Sequence, residues 1–132
     1  MSLTPLLNAA PVIQLHAFAA IAALLLGIVQ LAAPKGTLPH RSLGYLWAAL
    51  MLTVALSSLW IHTIDWWRGY SPIHLLPLLV LCTVPLGIWS ARTGRISAHR
   101  KFMSRTFFTG LVIAGAFTFT PGRIMYRVLF GV

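Results

Sequence analysis

Apolar residues along this chain gather into four long runs, over 10–33, 40–64, 71–91 and 99–120, and polar residues collect in the breaks between them. Each run has about 20 residues, the length an α-helix needs to cross the hydrocarbon core of a bilayer. The breaks carry helix-stop and helix-start residues. Pro34 and Gly36 end the first run, Pro39 can sit in the first turn of the second, and Ser97 can cap the fourth. Pro77 and Pro85 should kink the third. Because the connections are short, neighbouring helices should be antiparallel. The expected fold is all-α: an integral membrane, up-down four-helix bundle forming a single domain over 1–132.

Composition agrees. In 132 residues, 58% are hydrophobic and 8% charged, with a mean hydropathy of +0.85, which excludes an ordinary water-soluble domain. The net charge of +9 comes from basic residues in the breaks, with no arginine-rich arm, so it reads as topogenic charge facing anionic lipid and not as a nucleic-acid site. Lys35, Arg41, Arg92, Arg95, Arg100, Lys101 and Arg105 lie around the first and third breaks, against Arg68, Arg123 and Arg127 on the other side. This asymmetry puts both termini outside a bacterial inner membrane. Trp60, Trp66, Trp67 and Tyr70 form an interfacial belt at the outer face. The first run has nothing basic before it and is long enough to span, so it reads as a retained helix and not as a cleaved signal. Cys82 is the single cysteine, so no intrachain disulfide can form.

The chain repeats itself. His16 precedes Leu26-Gly27-Ile28 and then His40-Arg41, as His74 precedes Leu86-Gly87-Ile88 and then His99-Arg100. A duplicated two-helix unit keeps its direction in the membrane, giving parallel repeats about an axis along the bilayer normal. That symmetry pairs His16 with His74 and His40 with His99. Helical steps from His40 reach Gly44, Trp47, Met51, Ala55, Ser58 and His62, and steps from His99 reach Met103, Thr106, Gly110, Ile113 and Phe117. Steps from His16 reach Ala20, Ala23, Gly27 and Gln30.

Two chemistries fit these histidines. Near a helix start, an imidazole can simply meet water or headgroups. Paired across a bundle, two imidazoles can instead be the axial ligands of a b-type haem, which needs no third protein ligand. Zinc would need more ligands, and Asp65 is the only acid in the chain. Arg41 and Arg100 follow their histidines and could meet haem propionates, or serve only as positive-inside anchors. His62 ends the second run and could exchange electrons and protons with an outer partner.

With His40-Arg41 followed by Gly44 and Trp47, the segment Ser71-Pro72-Ile73-His74-Leu75-Leu76, His99-Arg100 and Pro121-Gly122-Arg123, the chain resembles over nearly its whole length a bacterial family of predicted four-helix membrane proteins with no assigned activity. More distantly it resembles the ascorbate-reducible dihaem transmembrane cytochromes b, whose four consecutive helices each supply one histidine near the helix start. That resemblance implies two haems, an outer one on His16 and His74 and an inner one on His40 and His99, with His62 at an outer substrate site. The expected function is transmembrane electron transfer between small-molecule or protein redox partners. A non-catalytic accessory or assembly subunit without cofactor, and a quinone or copper site built from His16, His62 and His74, remain open. So does a homo-oligomer or a larger membrane complex.

Overall fold

The computed structural model describes residues 1–60 and 75–131. Its helices are α1 (Thr4–Leu7), α2 (Pro11–Ala32), α3 (Leu38–Ser58), α4 (Leu75–Arg92), α5 (Ile96–Phe107), α6 (Ala114–Phe117) and α7 (Ile124–Phe130), with a π-helical segment, Phe108–Ile113, joining α5 to α6. No strand occurs among the described residues.

Local chemistry sets most of the helix ends. Pro11 opens α2, where its missing N–H costs nothing. At the other end Ala33 turns extended before Pro34, and Lys35 Nζ donates to the Ala33 carbonyl at 2.8 Å, placing a cation at the negative end of the helix dipole. Gly36, at φ +78°, completes the reversal. Thr37 then caps α3, its hydroxyl accepting the His40 N–H at 3.2 Å, with Pro39 in the first turn. Gly94, at φ +80°, closes the equivalent turn between α4 and α5. Ser97 is not the cap that its type implies: α5 begins at Ile96, its N-cap residue is Arg95, and no side chain bonds the first turn there. Of the two helix prolines, Pro85 lies inside α4 and Pro77 in its described first turn.

Helix α2 lies along α3, α3 along α4, and α4 along α5 and the π segment. All of them enter one core, centred on Ala23, Trp47, Met51, Val84, Phe107 and Leu111. Small residues allow close approach. A Cβ on Gly27 would stand 2.5 Å from the Phe107 ring and 3.0 Å from Trp47 Nε1. The α4–α5 contact carries a hydroxyl tie, Thr83 Oγ1 to Thr106 Oγ1 at 2.7 Å, with Thr106 buried.

The π segment changes the face that the chain presents. It adds a residue to the turn, so residues beyond it are rotated relative to a continuous α-helix. Leu111 is buried and Ala114 half-buried, while Ile113 and Phe117, which even helical spacing from His99 puts inward, are exposed.

Outside the core the surface is apolar. Helices α2 and α4 are long and apolar enough to cross a membrane, yet only 17% of the apolar window of α2 is buried. Leu25 and Ile28 stand more than half exposed. A core helix of a water-soluble protein would be covered; this one is dressed for lipid. At the His16 end, α1 and α7 meet. The Ser2 N–H donates to the Val128 carbonyl at 2.9 Å, and Leu6 and Val128 are buried.

Candidate functional site

The described histidines fall at two opposite ends of the helix assembly. His16 lies near the start of α2, beside the last turns of α3. His40 and His99 open α3 and α5 at the other end. His62 and His74 lie outside the described residues.

His16 Nδ1 is 3.0 Å from the Val54 carbonyl oxygen and 3.0 Å from Ser57 Oγ. A carbonyl only accepts, so Nδ1 carries the proton and donates it, and in the neutral ring Nε2 keeps a bare lone pair. Ser57 itself donates to Val54 at 3.1 Å, which leaves its oxygen free to accept from the imidazole. His16 borders a cavity of about 450 Å³. Its walls are mostly small or aliphatic: Ala17 and Ala20 from α2, Ala55 from α3, Gly110 and Leu111 from the π segment. Leu76 and Pro77, which follow His74 in the chain, line the same space, as do Arg123 and Arg127.

At the opposite end, the rings of His40 and His99 stand edge to face, with centroids 6.3 Å apart and planes at 83°. His99 Nδ1 donates to the Gly87 carbonyl of α4 at 2.9 Å, so its Nε2 is also the bare nitrogen. His40 Nδ1 is buried with no partner. Beside it, Gln30 Nε2 donates to the His40 carbonyl at 2.9 Å, while Gln30 Oε1 is buried and unpartnered. Gly44 makes room for this amide, since a Cβ there would stand 3.3 Å from Gln30 Nε2.

The two histidine ends are separated by close-fitting side chains. Trp47, Gly27 and Phe107 fill the middle, with Trp47 Nε1 donating to the Ala23 carbonyl at 3.1 Å. Arg41 and Arg100 are exposed, as are Lys35, Arg92, Arg95, Lys101 and Arg105. Arg95 lies over the Trp89 ring at 4.9 Å.

Among the described residues no three His, Cys, Asp or Glu side chains converge on one point. Residue type alone marks the histidines. It does not mark their partners, because Val54 and Gly87 contribute backbone carbonyls, which no side-chain pattern reports. Ser57 and Gln30 carry a weak signal as polar residues inside apolar runs.

Residues 13–131 match the family described as "Predicted membrane protein (DUF2306)". The chain belongs to this family, whose function is unknown. No curated protein and no solved structure matches it. Membership agrees with the apolar, uncovered surfaces of α2 and α4. It assigns no activity to the histidines.

Proposed function

We propose that the chain is a multi-pass protein of the bacterial inner membrane, an up-down four-helix bundle with both termini outside, that transfers electrons between the two faces as a b-type cytochrome. His40 and His99 would hold one haem towards the cytoplasm, and His16 and His74 a second towards the outside. Arg41 and Arg100 are near enough in sequence to their histidines to serve the propionates, and His62 is assigned to exchange with an outer partner. When bound, a haem supplies a one-electron couple at each face.

One observation carries this reading. His16 and His99 both donate from Nδ1 to a backbone carbonyl of a neighbouring helix, which fixes each ring and leaves Nε2 as the free base. Ligating histidines characteristically engage their second nitrogen in this way. Two further features support it. The rings of His40 and His99 stand with centroids 6.3 Å apart at one end of the helix assembly, close enough together for both imidazoles to serve one bound group. The cavity beside His16, at about 450 Å³, is also of a size that holds organic ligands and cofactors.

The test is the colour of the protein. Purified in detergent from haem-sufficient cells, it should give a reduced-minus-oxidised b-type spectrum and two haems per chain by pyridine haemochrome. A colourless preparation refutes the proposal.

The same cavity supports a second reading, a quinol site. Its walls are apolar, and the bare Nε2 of His16 can accept a quinol O–H. Bound quinone in organic extracts of a colourless preparation, lost in His16→Ala, would favour it.

A further inference from the structure

Only two buried side-chain polar atoms among the described residues lack a hydrogen-bond partner, Gln30 Oε1 and His40 Nδ1, and they belong to two residues already bonded to each other. A buried polar atom without a partner costs about 1–3 kcal/mol, so two of them side by side call for an explanation. The amide cannot be turned round to provide one, because its nitrogen must face the His40 carbonyl, which only accepts. Gln30 therefore offers an acceptor with no donor, and His40 a ring nitrogen with no partner. The other two described histidines show what is missing. His16 and His99 have Nδ1 on a carbonyl, from Val54 and Gly87. In the repeat, Gly27 is to His40 what Gly87 is to His99, but the chain near Gly27 is taken by Trp47, whose indole occupies the Ala23 carbonyl and lies against Gly27 itself.

We propose that Gln30 is the positioning residue for His40, its Oε1 taking the Nδ1–H in place of the backbone carbonyl that serves His99. Closing this bond takes a rotation of the side chains from their present positions, and Gly44 leaves the amide room to turn. The consequence is a fixed ring with Nε2 presented as the base, as at His16 and His99. An amide acceptor whose chemistry can be altered by substitution would also make Gln30 a control on the donor strength of His40 towards a metal. This second consequence rests on the haem reading; the hydrogen bond does not.

The experiment uses the full chain in detergent with Gln30→Glu, which keeps an acceptor, and Gln30→Leu, which removes it. In haem-free protein, ¹⁵N NMR of the histidine rings should show His40 with its proton on Nδ1 in wild type and in Gln30→Glu, and shifted towards Nε2 in Gln30→Leu. An identical His40 ring in all three, or a wild-type ring protonated on Nε2 alone, overturns the proposal. In haem-loaded protein, Gln30→Glu should move one b-type component to lower potential and Gln30→Leu should move the same component to higher potential, with the other unchanged. Two haems with neither component moving also overturns it. If no haem binds, the cytochrome reading fails and the NMR result alone decides on Gln30. If Gln30→Leu does not fold, Gln30→Glu decides through its ring signals and potential.

Discussion

Trp47 reaches across from α3 and donates from Nε1 to the Ala23 carbonyl of α2 at 3.1 Å. The contact is possible because Gly27, one turn further along α2, has no side chain to hold the indole off. It locks the two helices in register in the middle of the core, between the two histidine ends.

Gly27→Ala should therefore destabilise the protein. The new methyl would stand 2.5 Å from the Phe107 ring, and overpacking of this kind costs about 1–3 kcal/mol. The gain in helix propensity, up to about 1 kcal/mol, does not offset it. Gly115→Ala is the control: nothing lies within 4 Å of its Cβ position, so that variant should be neutral or slightly stabilised. Thermal unfolding of both in the same detergent measures the difference.

The hydroxyl pair between α4 and α5 should respond unequally. Thr106 already donates to the Phe102 carbonyl at 2.7 Å, so in the pair Thr83 is the donor and Thr106 the acceptor. Thr106→Val orphans the Thr83 hydroxyl and should cost about 1–3 kcal/mol. Thr83→Val leaves Thr106 with its backbone partner and should cost less than half of that. The order of the two midpoints in thermal unfolding checks it.

The π segment predicts which of two neighbouring residues matters. Leu111→Ala empties a buried position and should cost about 2–5 kcal/mol, while Ile113→Ala alters an exposed one and should cost below 1 kcal/mol. A continuous α-helix would reverse the order. Unfolding of the two variants, side by side, distinguishes the two registers.

How much of this is legible in the sequence differs by element. The apolar runs locate the helices because a long apolar stretch bounded by helix-breaking residues favours a helix, and Trp47, Met51 and Ala55 are buried, as the stripe from His40 requires. Pro39 and Gly36 mark their turn because proline fixes its φ and glycine tolerates the positive φ that the reversal needs. The start of α5 is misleading, since Ser97 has the right chemistry for a cap but sits inside the first turn. The inward face beyond Gly110 is misleading too, because no residue type signals a π turn, and the segment puts Leu111 in the core. At the candidate site the imidazoles are legible. The carbonyls that orient them, and the Gln30 amide beside His40, depend on how the helices meet.

The central claim is that the histidines form two separate haem sites, and single variants test it most directly. In reduced-minus-oxidised spectra, His40→Ala and His99→Ala should each remove one and the same b-type component. His16→Ala and His74→Ala should each remove the other, with one haem per chain remaining in every case. Retention of both components in any of the four variants, or components that do not pair in this way in folded protein, would contradict it.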